Sequence, residues 1–272
     1  MKELMKYLAR PGHRISLHDF DPDDKGHFEK EEDALEETAE LIRQLDPLQE
    51  RLYAESKRAL LIVLQAIDTG GKDGTIRHVM KEINPQGCQV TSFKVPTPEE
   101  LSHEFLWRVH RHVPAKGLIG VFNRSHYEDV LVTRVHDFIS EDEAEKRYRE
   151  INAFETMLVR NGTTVLKFYL GISKEEQRRR LQERVDDPQK RWKFSPNDLK
   201  ERRYWDRYQE VYARAISATS TKSAPWYLIP ANRKWYRNYL VAKILVATLK
   251  QMDPQYPPAI KGIDFRKVRI PA

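Results

Sequence analysis

Leu60–Val79 reads LLIVLQAIDTGGKDGTIRHV, and the fold of the whole chain turns on its middle. An apolar run, Leu60–Leu64, breaks into Asp68-Thr69-Gly70-Gly71-Lys72-Asp73-Gly74-Thr75, after which Ile76, Val79 and Met80 return at helical spacing. A strand that turns through glycines into a helix is how phosphate-binding loops are built. The N–H groups from Thr69 to Gly74 and the amino end of the helix would cradle an anion, with Lys72 as a point charge. The motif G-x-x-x-x-G-K-[ST] is nearly met: Ala66 stands at the first glycine and Asp73 at the Ser/Thr, with Thr75 close by. An ordinary glycine-rich turn is the bland alternative. Asp68 sharpens the choice, because a carboxylate beside phosphates is unfavourable unless a cation or proton stands between them. Metal binding or orientation of a phosphate acceptor suits Asp68 better than a purely structural role.

The 272 residues suffice for a core without staples, and Cys88 as the only cysteine excludes a disulfide framework or cysteine metal cage. Met1–Arg14 lacks the apolar centre of a signal peptide, and the apolar runs are strand-sized, so a cytoplasmic protein without a membrane span is expected. The net charge of +6 is compatible with a polyanionic partner, but no nucleic-acid-binding module is recognisable.

Around the loop, five strands are expected: Leu60–Ala66, Gln89–Phe93, Leu118–Phe122, Thr164–Ile172 and Trp226–Pro230. Between them lie helical stretches at Pro98–His112, Glu141–Arg160 and Lys174–Arg184, and Trp235–Leu249 closes the chain. Residues 1–30 read as irregular, and 31–59 as one or two helices around Pro47, so 1–58 form a helical N-terminal extension. Alternating short strands and helices predict one α/β domain whose mostly parallel five-stranded sheet is covered on both faces. Ligands of such sheets bind beyond the carboxyl ends of the strands.

After the third strand comes Asn123-Arg124-Ser125-His126-Tyr127-Glu128-Asp129. Arg124 can contact a phosphoryl group bidentately, as Lys cannot. Glu128 and Asp129 are candidates for metal or acceptor contact, or else merely acids at a helix start. His126 is more readily a packed residue than a catalyst. After the fourth strand the chain turns basic: Arg180 and Arg184 share a helix face, and Asp186-Asp187-Pro188 breaks that helix before Lys190, Arg191, Trp192 and Lys193. Cations beside a proline–aromatic hinge suggest a lid spanning about residues 175–215, the alternative being a solvated charged helix.

Together, DTGGKDGT (68–75), SFKVPTPEE (92–100), FNRSHYEDV (122–130), DDPQKRWKFSPNDL (186–199) and YLIPANRKWYRN (227–238) resemble the second family of polyphosphate kinases, a branch of the phosphate-loop kinases. That resemblance implies a three-layer α/β sandwich, a helical lid, Mg²⁺ with Mn²⁺ as a substitute, and reversible phosphoryl transfer between inorganic polyphosphate and nucleotides. It makes Asp68, Lys72 and Arg124 catalytic, with Asp68 on the metal. Thr69, Gly70, Gly71, Asp73, Gly74, Thr75, Arg77, Asn123, Tyr127, Glu128 and Asp129 would bind nucleotide and phosphate. Arg180, Arg184, Lys190, Arg191 and Lys193 would grip the polymer. Asn123 with Glu128 resembles the class III subgroup, which implies AMP and ADP as acceptors, guanine nucleotides being open. A homo-oligomer, dimer or tetramer, is also implied, with no nucleic acid and no membrane as partner. Two other readings stay open: an ATP-dependent nucleoside or nucleotide kinase, and a non-enzymatic polyanion binder.

Overall fold

All seven residues of Ala59–Gln65 (β2) are buried, as a strand covered on both faces requires. The computed structural model describes residues 3–263 and 265–271. On one side β2 pairs in parallel with Ile119–Asn123 (β4), which pairs with Cys88–Ser92 (β3). On the other it pairs with Thr163–Gly171 (β5), which pairs with Trp226–Pro230 (β6). Leu64 stands level with Asn123 and with Phe168, so β2 and β4 end within one residue of each other, while β5 runs two residues past the end of β2.

The sheet has six strands, not five: Leu8–Ala9 (β1) adds antiparallel to the β6 edge. A two-residue strand carries no periodicity, so nothing in residues 1–30 announces it. The N-terminal extension is accordingly only partly helical. Glu31–Glu55 (α1) runs unbroken through Pro47, with Leu45 and Leu48 on either side buried.

Lys72–Val79 (α2), α1 and Lys234–Met252 (α10) pack together over one face. Glu141–Arg160 (α6) and Trp205–Thr219 (α9) pack together over the other. The helix expected over Pro98–His112 divides into Pro98–Leu101 (α3) and Trp107–His110 (α4). A capping box between Thr97 and Glu100 starts the first. Glu104 accepts from Leu106 N at 2.7 Å and starts the second. Val132–Val135 (α5) follows the β4 loop. Lys174–Asp186 (α7) stops where Pro188 disfavours a helical Asp187, and Pro196–Glu201 (α8) leads back into α9. No helix among the described residues is long and apolar enough to cross a membrane.

Candidate active site

The turn after β2 delivers the loop. Thr69 has φ 65° and Gly71 φ 105°, and Gly71 caps the start of α2. A Cβ on Gly71 would collide with Arg237 Nη1, and one on Gly70 with the Cβ of Ala66, so both positions need glycine. The loop borders a cleft of about 690 Å³ beyond the carboxyl ends of the strands.

Three polar groups meet there. Arg124, held at φ 63° directly after β4, donates from Nη2 to Asp68 Oδ1 at 2.6 Å and from Nη1 to Glu128 Oε2 at 2.9 Å. A non-glycine residue in the left-handed region is strained, and such strain concentrates at functional sites. Glu128, then Asp68, keep the guanidinium charged throughout the accessible pH range. The Lys72 amine is buried and donates to Ala66 O at 2.8 Å. Burial first, and Arg124 second, pull it down to about 8, against Asp68 and Glu128, which act the other way. Asn123 Nδ2 donates to Asp73 Oδ1 at 2.6 Å, tying the β4 end to the loop.

Basic residues converge from α7 and α10. Arg180 staples three segments, donating to Thr69 O at 2.9 Å, to Ala231 O at 2.6 Å and to Glu176 Oε1 at 2.6 Å. Arg237 is buried beside Gly71 and bonded only to Asn238 Oδ1, with no carboxylate partner among the described residues. Burial and Arg180 press it down to about 9, so it is charged at neutral pH. A buried, unneutralised guanidinium calls for an anion. Arg184, Lys190 and Lys193 also line the cleft. Arg184 is paired with Asp198, Lys190 with Glu183 and Asp187, and Lys193 lies over the Trp192 ring at 5.0 Å.

The cleft thus brings together Asp68, Thr69, Gly70, Gly71, Lys72, Asp73, Gly74, Asn123, Arg124, Arg180, Arg184, Lys190 and Lys193. Glu128 joins through Arg124 and a smaller adjoining cavity. Five expected residues stand elsewhere. Tyr127 is fully buried, because the short helical turn at His126–Asp129 sends its ring inward against Trp226. Its hydroxyl donates to Glu155 and accepts from Lys167, both at 2.9 Å. Thr75 is buried and bonds back to Gly71 O, and Arg77 is exposed on the outer side of α2. Asp129 is pushed up to about 6 by burial and faces Arg108 and Arg147. Arg191 donates to Val185 O away from the cleft wall.

Lys234, Arg237 and Lys94 line the cleft without having been singled out from sequence. Arg237 could have been found: it is a charge within the first turns of a helix buried nearly all round, directly after a strand's carboxyl end.

The family model described as Polyphosphate kinase 2 (PPK2) matches residues 28–257. This chain belongs to the polyphosphate kinase 2 family. It is therefore a phosphotransferase of the phosphate-loop kinase fold. It is 57% identical, over 255 residues, to an AMP/ADP-polyphosphate phosphotransferase of Meiothermus ruber, covering 93% of this chain and 96% of that protein. An ADP-polyphosphate phosphotransferase of Rhodopseudomonas palustris is 47% identical over 228 residues, 79% of each chain. The crystal structure of polyphosphate kinase 2 from Arthrobacter aurescens TC1 superposes with a TM-score of 0.90 at 46% identity, covering 93% of this chain and 92% of that one.

Proposed function

We propose that this member of the polyphosphate kinase 2 family moves the terminal phosphoryl group of inorganic polyphosphate onto AMP and ADP. The acceptors follow the name of the Meiothermus ruber relative, which matches nearly end to end. The carrying observation is the convergence of Asp68, Lys72 and Arg124 on one cleft whose buried cations Lys72 and Arg237 have no carboxylate partner among the described residues.

Little covalent chemistry is needed from the protein, because charge is spread over the oxygens of the transferring phosphoryl group. Lys72, Arg124 and the loop N–H groups hold those oxygens, and α7 and α10 supply Arg180 and Arg237 to the polymer. The segment spanning about residues 175–215 closes over the phosphates as a lid carrying Arg184, Lys190 and Lys193.

Among the described residues no three His, Cys, Asp or Glu side chains form a metal cage. Asp68 fits a divalent ion nonetheless: Oδ1 is held by Arg124, and Oδ2 has no hydrogen-bond partner among the described residues. One carboxylate plus substrate phosphates is an ordinary way to hold Mg²⁺, with Mn²⁺ able to replace it. When bound, such an ion neutralises phosphate charge beside an otherwise repelling acid.

Product analysis with AMP, ADP, GMP or GDP, each with polyphosphate and Mg²⁺, tests the reading. ATP formed from ADP and ADP formed from AMP, without added ATP, is the expected result. Transfer from ATP alone, with polyphosphate inert, would overturn it.

A further inference from the structure

The turn from β6 into α10, Ala231-Asn232-Arg233, ties the two cation-bearing elements of the cleft to the N-terminal segment. Asn232 Oδ1 accepts from Ser173 N at 2.9 Å, at the start of α7. Its Nδ2 donates to Asp23 Oδ2 at 2.9 Å and to Ser173 Oγ at 3.2 Å. A backbone donor on one side and a carboxylate on the other set the orientation of the amide. The backbone takes part as well: Asn232 N donates to Pro22 O at 3.1 Å, and Asn232 O accepts from Arg180 Nη2 at 3.1 Å. Asp23 O accepts from Arg233 Nε at 3.3 Å. Phe20 lies so close to Gly171, the last residue of β5, that a Cβ there would strike its ring.

Neither Asn232 nor Asp23 lines the cleft that holds Lys72 and Arg124. Both act one step back from it. Arg180 donates at once to the Ala231 and Asn232 carbonyls and to Thr69 O in the phosphate loop, and Arg237 follows Asn232 by five residues on α10. A shift of the turn would therefore carry both guanidiniums away from the loop.

We propose that Asn232, braced by Asp23, is a positioning residue for phosphoryl transfer, holding Arg180 and the start of α10 against the phosphate loop. Asp23 lies ahead of the residues 28–257 that match the family model, so the brace recruits a segment outside that match. The inference rests on the polyphosphate-to-nucleotide reading above.

The test exchanges donor and acceptor across the pair. Asp23→Asn keeps an acceptor oxygen facing Asn232, whereas Asn232→Asp sets two carboxylates against each other. The double variant D23N/N232D restores one donor and one acceptor while Ser173 N keeps its partner. The readouts are kcat and the two KM values for ATP formation from ADP and polyphosphate, with the thermal midpoint of each sample.

N232D is expected to lower kcat about tenfold, the scale on which outer hydrogen-bond partners act, with D23N near wild type and the KM for ADP unmoved. D23N/N232D is expected to recover most of the loss, which a general loss of stability would not allow. If N232D does not fold, Asn232→Ala, which removes the ties without adding charge, replaces it with the same expected loss. Wild-type kcat in the single Asn232 variants, or a double variant as slow as N232D, overturns the inference alone. A wild-type protein that makes no ATP from ADP and polyphosphate overturns the underlying reading and the inference with it.

Discussion

Arg124 Nη2 lies 2.6 Å from Asp68 Oδ1, so the residue after β4 and the acid of the loop after β2 act as one unit. The same guanidinium also holds Glu128, and two carboxylates on one planar fork fix its direction. Lysine cannot span both. Arg124→Lys is expected to keep the fold and lower kcat by about 10²–10³, the loss typical of removing one preorganised charge donor. Steady-state kinetics with circular dichroism on the same samples checks this.

The depressed Lys72 amine makes the site sensitive to alkali. The charged form is the useful one, so kcat/KM for polyphosphate should fall as pH rises through about 8. Stability moves the other way. The folded value, about 8, lies below the ordinary 10.5, so between these values the unfolded chain binds more protons. The cost of burying the charge is therefore full below about 8 and is relieved towards 10.5. Lys72→Met should abolish that alkaline gain in unfolding free energy, measured by denaturant titration across the window.

Gly71 and Gly74 form a matched pair. Alanine at 71 meets both φ 105° and the Arg237 guanidinium, whereas at 74 the nearest atom, Arg237 Nη2, is 3.3 Å from the new Cβ with no positive φ. Gly71→Ala should cost about 1–2 kcal/mol from backbone conformation alone and remove activity. Gly74→Ala should be the milder change. Thermal midpoints and turnover separate the two.

Arg237 should show a trade between stability and function. Its buried charge lacks a carboxylate partner among the described residues, so Arg237→Met should leave the ligand-free protein at least as stable as wild type. The variant should lose affinity for polyphosphate. Thermal shifts with and without the polymer test both halves.

Beneath the site, Lys167 Nζ meets Glu155 Oε2 at 2.5 Å, with both residues almost wholly buried. Removing one partner strands a charge, so Lys167→Met should cost about 3–5 kcal/mol. Adding Glu155→Gln should return much of that. Turnover per folded molecule should stay near wild type in the double variant.

Much of this was legible because the residues concerned sit where strands end. Leu60–Leu64 followed by Asp68–Gly74 located the loop, and Arg124 stood directly after an apolar strand. Tyr127 shows the limit. In the four-residue helical turn His126–Asp129 adjacent side chains point about 120° apart, so Glu128 reaches Arg124 while its neighbour Tyr127 enters the core. The Asp23–Asn232 brace was hidden for another reason. The two residues lie far apart along the chain, and only the assembled fold brings them together. Residues 8–9 escaped notice because a strand that short has no pattern of its own.

The proposal that Asp68, Lys72 and Arg124 act together on one phosphorus is best probed by the rate of ATP formation from ADP and polyphosphate in Lys72→Ala, with near-ultraviolet circular dichroism confirming the fold. Loss of about 10³-fold or more in kcat with an intact fold is expected, on the scale of charges that stabilise phosphoryl transfer. A folded Lys72→Ala enzyme turning over at the wild-type rate would contradict the convergence.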